Sequence, residues 1–280
     1  MSELPTTLPS LEPGWVWLTG AGPGDPGLLT LLALHALRQA DVIVYDALVT
    51  PAILDLAAPG AVLEFAGKRG GKPSAKQPDI CRRLIQLARD SKRVLRLKGG
   101  DPFIFGRGGE EALALAAARV PFRIVPGISA GIGGLAYAGI PITHRDINSA
   151  VTFITGHDAA GVVPETVDWT ALSKASPVLV VYMALKQLPT IADRLLAAGR
   201  NGAEPVAIVS RATTADQRVL ETDLAHCVND LLASGLEPPA LVVIGEVVRL
   251  RAGLDWLGAL TGRLLDPDPL RRQRQSETGS

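Results

Sequence analysis

Arg96-Leu97-Lys98-Gly99-Gly100-Asp101-Pro102-Phe103-Ile104-Phe105-Gly106-Arg107-Gly108-Gly109-Glu110-Glu111 is the run that decides the fold. It continues an apolar strand, Val94-Leu95-Arg96-Leu97, and breaks at paired glycines. It then adds Asp and Pro and crosses further glycines into an alanine-rich helix. Five glycines fall between Gly99 and Gly109. Glycine has no Cβ, so a strand ending in Gly-Gly-Asp-Pro lets a ligand approach bare backbone. In open α/β sheets, ligands sit just beyond such strand ends. Basic and acidic side chains flank the glycines, which suits a charged small molecule; the plainer reading is a surface turn with solvated charges.

Upstream, Trp15-Val16-Trp17-Leu18-Thr19 reads as a strand, Gly20-Ala21-Gly22-Pro23-Gly24-Asp25-Pro26-Gly27 as a tight loop, and Leu28 to Gln39 as a helix. That order is a nucleotide-binding start. The dinucleotide fingerprint Gly-x-Gly-x-x-Gly, however, has Asp25 at its third glycine. Pro23 removes an N–H that a phosphate needs, and Asp25 places negative charge where the phosphate sits. The loop therefore suits a neutral or cationic group, or is a plain turn with an Asp cap.

Further strands are expected at Asp41–Asp46, Ala61–Ala66 and Phe122–Val125, with helices at about Asp79–Ser91 and Glu110–Arg119. Ala66 runs into the basic loop Gly67-Lys68-Arg69-Gly70-Gly71-Lys72, and Val125 into Pro126-Gly127-Ile128-Ser129-Ala130-Gly131 and a small-residue helix ending near Gly139. Strands and helices alternating at this length imply a parallel sheet. Pro141-Ile142-Thr143-His144-Arg145-Asp146 is polar and irregular, and reads as an interdomain linker. A second sheet follows at Val151–Thr155, Pro177–Met183, Val206–Ser210, Gln217–Thr222 and Ala240–Gly245, with helices at Leu185–Ala198 and Leu224–Ser234. The expected organisation is a disordered lead-in (1–14), an N-terminal α/β domain (15–140), a linker (141–150), a C-terminal α/β domain (151–250) and a disordered tail (263–280).

At 280 residues and 47% hydrophobic content, the chain has the length for two domains and the composition of a folded protein. Lysine plus arginine equals aspartate plus glutamate, 28 each. This balance leaves no electrostatic footprint for nucleic acid or an anionic membrane. Cys81 and Cys227 stand far apart, outside any Cys-x-x-Cys pattern, and read as buried apolar fillers. The N-terminus does not read as a signal peptide, and the longest apolar run, Leu28–Leu37, is too short to span a bilayer. A cytoplasmic enzyme is expected. His35, His157 and His226 show no ligand spacing, so no metal is expected, and His144 reads as a structural linker residue.

Gly20-Ala21-Gly22-Pro23-Gly24-Asp25, Tyr45-Asp46-Ala47-Leu48-Val49, Gly67-Lys68-Arg69, Leu97-Lys98-Gly99-Gly100-Asp101-Pro102, Val125-Pro126-Gly127-Ile128-Ser129-Ala130 and Pro141-Ile142-Thr143-His144-Arg145 occur in this order. Over residues 15–250 this series resembles the tetrapyrrole methylases. Its Gly-Lys-Arg and Pro-Ile-Thr-His-Arg segments look most like the members that act on uroporphyrinogen III. One departure is Ser129 where the family usually has Thr. The resemblance implies an α/β fold of two α/β domains, the class III tetrapyrrole methylase type, with the active site in the cleft between them. It also implies a homodimer. The implied donor is S-adenosyl-L-methionine, leaving S-adenosyl-L-homocysteine, and the implied reaction methylates C2 and C7 of uroporphyrinogen III to give precorrin-1 and then precorrin-2. By position, the donor-binding residues would be Pro23, Gly99, Gly100, Asp101, Ile104, Ser129, Ala130, Met183, Ala212 and Ala240. Asp46 and Lys68 match the positions of proton acceptor and proton donor. Arg107, Glu110 and Met183 match a pocket that handles substrate.

The residues fit that chemistry. A sulfonium donor is a cation without phosphates, and Asp101 stands where ribose hydroxyls could donate to it. An octacarboxylate macrocycle needs cations, for which Lys68, Arg69, Lys72, Arg107 and Arg145 are candidates, Arg107 foremost. Plainer readings make Asp46 a turn carboxylate, Lys68 a solvated lysine and Arg107–Glu110 a local ion pair. The nearest competing activity is methylation of a later precorrin. From another class, the competitor is a nicotinamide-binding dehydrogenase, against which Pro23 and Asp25 argue.

Overall fold

A computed structural model describes residues 8–67, 77–158 and 161–271. Its contacts group into two units, Met1–Ser129 and Ala130–Ser280.

In the first unit, β1 (Val16–Gly20), β2 (Val42–Tyr45), β3 (Val62–Phe65), β4 (Val94–Lys98) and β5 (Phe122–Val125) form one sheet. Its order is β3-β2-β4-β1-β5, and every neighbouring pair is parallel. The helices are α1 (Leu31–Leu37), α2 (Pro51–Leu54), α3 (Gln77–Arg89) and α4 (Gly108–Ala117). Successive side chains of a strand point to opposite faces. Trp17, Ile43, Leu95 and Leu97 thus join Ala33 and Leu37 of α1 in one core layer. Val16, Leu18, Val42, Val44 and Val94 join Leu84 and Leu87 of α3 and Leu115 of α4 in the other. A parallel sheet covered on both faces needs such near-continuous apolar strands. Each large side chain fully buried here contributes about 1.5–3 kcal/mol.

Helix α1 starts at Leu31, not at Leu28. Pro26–Leu28 forms a 3-10 turn capped by Asp25, and Thr30 then caps α1 by accepting from Ala33 N at 3.1 Å. The described part of the expected lead-in is ordered: Leu11 is buried in the α1 layer and its N–H donates to Gln39 Oε1 at 2.9 Å. Burial of one leucine with a satisfied amide is what fixes this stretch. Glu64 on β3 accepts from Arg83 of α3 at 2.9 and 2.5 Å, and the guanidinium holds the Glu64 carboxyl below its ordinary 4.5. A lowered folded value stabilises above the unfolded one and is lost as pH falls through the folded value. Glu64→Gln should therefore remove up to about 1 kcal/mol at neutral pH, the range for a half-exposed pair. The gap to wild type should close in acid, as urea titrations at the two pH values would show.

The second unit holds β6 (Thr152–Thr155), β7 (Leu179–Tyr182), β8 (Pro205–Ser210), β9 (Arg218–Asp223) and β10 (Ala240–Ile244), in the order β6-β7-β10-β8-β9. Only β6–β7 is parallel. Its helices are α5 (Ala130–Tyr137), α6 (Trp169–Ala175), α7 (Leu188–Ala197), α8 (Cys227–Ser234), α9 (Arg251–Leu254) and α10 (Trp256–Leu260). Helices α6, α7 and α8 cover one face through Trp169, Leu188, Ile191, Leu195 and Cys227. Burial pushes the Cys227 thiol up to about 11, so it stays a neutral filler. Helix α5 covers the other face, where Leu135 and Ala138 pack with Val178, Val180, Ala207, Val209 and Val243. This packing assigns α5 to the second unit, although the sequence pattern places the junction at 141–150. Those residues form a compact turn, in which Asn148 donates to Ile142 O and Ala150 O and accepts from His144 N.

The described part of the expected disordered tail is also held. Arg263 pairs with Asp255 at 2.7 Å, and Asp266 N donates to Ala252 O at 2.9 Å. Among the described residues no helix is long and apolar enough to cross a membrane, and no three metal-ligating side chains gather.

Candidate active site

The loop after β4 is the hub of the first unit's C-terminal strand ends. Gly100 N donates to Gly22 O at 2.7 Å and Gly22 N to Gly100 O at 3.1 Å, which ties it to the loop after β1. Asp101 Oδ2 accepts from Gly127 N at 3.0 Å, tying it to the loop after β5. Asp46 accepts from Gly99 N at 3.3 Å and from Leu48 N at 3.0 Å, tying it to the loop after β2. Asp101 Oδ1 also accepts from Phe103 N at 2.8 Å. Both carboxylates thus brace loops, and each retains lone pairs for a further donor.

Three backbones meet at this hub. A Cβ on Gly20 would lie 2.5 Å from Gly100 O and 2.5 Å from Gly127 Cα, so no side chain fits between them. Gly100 itself has φ +67°, a left-handed conformation that glycine alone adopts cheaply. The amides beside it are engaged: Ala21 N donates to Lys98 O, Gly22 N to Gly100 O, and Gly27 N to Asp25 Oδ1. A pyrophosphate needs such N–H groups free at the first βα turn. This geometry disfavours the dehydrogenase reading. It suits a group without phosphates lying on bare main chain.

Beneath the hub lies a buried charge cluster that the sequence pattern did not reveal. Arg96 and Lys98, two apart on β4, share the face covered by α3 and α4. Glu111 Oε1 accepts from Arg96 Nε at 3.1 Å, from Lys98 Nζ at 3.2 Å and from Gln77 Nε2 at 2.9 Å. Burial, and then Arg96, lowers the Lys98 pKa, while Glu111 and Asp46 oppose the shift.

At the outer edge of the loop, Phe103, Ile104 and Phe105 expose apolar surface. Phe105 and Arg107 have φ of 51° and 59°, and such strain in non-glycine residues clusters at functional sites. Arg107 donates to Glu110 at 2.9 and 2.7 Å, with both side chains more than half exposed. Arg107 holds the Glu110 carboxyl below its usual range. An exposed i,i+3 pair is worth about 0–1 kcal/mol, so a better carboxylate displaces it readily.

In the second unit Met183, Ala212 and Ala240 share one sheet edge. Leu241 pairs with Tyr182 and Ala240 with Ser210, which sets Met183 beside the start of β10 and Ala212 two residues past β8. Met183, Arg211 and Thr213 all have positive φ. Tyr182 Oη accepts from Gly131 N at 2.8 Å, bringing the N-terminus of α5, with Ala130, to that edge. Ser129 is buried and Pro23 half-buried. Arg145 is exposed on the turn after α5. Lys68, Arg69 and Lys72 lie outside the described residues.

The first unit pairs a parallel sheet with glycine-lined strand ends, and a mixed sheet follows in the second. The family model for tetrapyrrole (corrin/porphyrin) methylases matches residues 16–227, and the chain belongs to that family. It is 66% identical over 269 residues to a uroporphyrinogen-III C-methyltransferase of a Sinorhizobium species, covering 96% of each. It is 51% identical over 245 residues to siroheme synthase 1 of Yersinia enterocolitica, of which it spans 51% of the length. The solved uroporphyrin-III C-methyl transferase of Thermus thermophilus, complexed with S-adenosyl homocysteine, superposes with TM-score 0.72. That match has 40% identity and covers 84% of this chain and 99% of that one.

Proposed function

We infer that this chain is an S-adenosyl-L-methionine-dependent C-methyltransferase that converts uroporphyrinogen III to precorrin-2 through precorrin-1. It methylates C2 and C7, in cobalamin and sirohaem biosynthesis. The observation that carries the reading is the junction of Gly20, Gly100 and Gly127, in a chain this similar to a named uroporphyrinogen-III C-methyltransferase. The donor supplies an electrophilic methyl group on a sulfonium. Pro23, Gly99, Gly100, Asp101, Ile104, Ser129, Ala130, Met183, Ala212 and Ala240 are proposed to hold it. The remaining lone pairs of Asp101 accept ribose hydroxyls. Methyl transfer is an in-line displacement, so positioning supplies most of the acceleration.

The acceptor is a pyrrole carbon, and a proton must afterwards leave the macrocycle. Asp46 takes that proton as general base, Lys68 acts as proton donor, and Arg107 with Glu110 and Met183 orients the macrocycle. Lys68, Arg69, Lys72 and Arg145 add charge for its carboxylates. The working form is a cytoplasmic homodimer.

Incubation with labelled S-adenosyl-L-methionine and uroporphyrinogen III tests the reading. Mass analysis should find one and then two added methyl groups. Methyl transfer to a later precorrin, with none to uroporphyrinogen III, would move the chain to another step. Arg107→Ala should lower kcat/KM about 10-fold to 100-fold, the worth of a charge-assisted hydrogen bond. S-adenosyl-L-homocysteine binding, read by calorimetry, should persist. Wild-type turnover would remove Arg107 from substrate handling.

A further inference from the structure

We propose that Lys98 and Glu111 are positioning residues for the methyl donor, their buried ion pair setting the shape of the Gly99–Arg107 loop from beneath. The inference rests on the reading of that loop as the donor's seat. Lys98 is the last residue of β4, and its side chain is 4% exposed; that of Glu111 is 0% exposed. Their 3.2 Å pair joins the strand before the loop to the helix after it. A Cβ on Gly106 would lie 3.3 Å from Lys98 Cε, so the returning limb of the loop rests on the lysine stem. Gly108 N donates to Pro102 O at 2.9 Å and closes the same loop from the other side.

Stability alone does not call for this arrangement. Apolar side chains of similar volume usually stabilise a core as well as a buried ion pair does, or better. Here two cations, Arg96 and Lys98, share one carboxylate oxygen, and among the described residues Glu111 Oε2 is buried without a hydrogen-bond partner. A charged, incompletely satisfied cluster is an expensive way to fill space. Its Lys98 directly precedes Gly99 and Gly100, where the loop must hold a left-handed turn and stay in register with Gly22 and Gly127. A buried pair of fixed geometry supplies that register; an apolar filler does not.

Three variants of the full chain test this: Lys98→Met, which keeps the stem length, Glu111→Gln, which keeps the shape, and Leu84→Ala, which removes core packing elsewhere in the same unit. Lys98→Met should weaken S-adenosyl-L-homocysteine binding, read by calorimetry, about 10-fold to 100-fold, the scale of a 1 Å misplacement. KM for S-adenosyl-L-methionine should rise in parallel, while kcat at saturating donor changes little. Glu111→Gln should act in the same direction, and it carries the test if Lys98→Met does not fold. Leu84→Ala should lose thermal stability and keep donor affinity. Wild-type affinity in both charge variants, or an equal loss in Leu84→Ala, overturns the positioning role alone. A wild-type chain that takes up no S-adenosyl-L-homocysteine overturns the donor-seat reading itself.

Discussion

Asp46→Asn should lower kcat about 100-fold to 10,000-fold, the range that a positioned general base contributes. The substitution is close to isosteric. Asp46 Oδ1 accepts from Leu48 N at 3.0 Å and from Gly99 N at 3.3 Å, and an asparagine oxygen at the same place keeps both, losing only the second contact of Gly99 N to Oδ2 at 3.3 Å. The loops after β2 and β4 therefore stay joined, and S-adenosyl-L-homocysteine affinity should remain near wild type. What disappears is the negative charge and the capacity to take a proton. An unchanged kcat would leave Asp46 as a loop brace only.

Gly127→Ala should abolish donor binding at concentrations that saturate wild type. A Cβ on Gly127 would meet Gly20 Cα at 2.7 Å and Gly100 O closer still, and both are main-chain atoms that cannot rotate away. Overpacking of this kind costs about 1–3 kcal/mol and moves backbone. Any movement also strains the Asp101 bond to Gly127 N, which holds the loop after β4. A displacement of even 1 Å costs about 100-fold in a positioned site. Gly109→Ala is the control. A Cβ there meets nothing within 4 Å, and alanine favours the helix by about 0.8–1.0 kcal/mol, so binding should be retained and stability should rise. Wild-type donor affinity in Gly127→Ala would place the donor away from the three-glycine junction.

The first sheet was legible because its strands are apolar runs ended by Gly, Pro or Asp, a pattern forced by burial on both faces. The hub loop was legible for the same reason, since a strand that stops at paired glycines leaves bare backbone at its end. Local chemistry decided what was misread. Leu28 and Leu29 continue the apolar pattern of α1, but Pro26 and the Thr30 cap start the helix later. Helices α6, α9 and α10 are too short for their period to show, and α5 is too rich in glycine to reveal which sheet it covers. The burial of Arg96 and Lys98 was hidden because their partner, Glu111, sits on another element, across the glycine loop. A two-residue spacing of cations inside an otherwise apolar strand is the signal that could have found it. Met183 stands at the end of an apolar strand, where a residue either joins the core or lines a pocket, whereas Ala212 and Ala240 came only from the family resemblance; the strand ladders then supplied the reason the three share an edge.

Crystals of the full chain soaked with S-adenosyl-L-homocysteine test the central claim most directly. Density should lie on the main chain at Gly100, with ribose oxygens within hydrogen-bond reach of the Asp101 carboxylate. Density at another place, or none beside Gly100 at a saturating concentration, would contradict it.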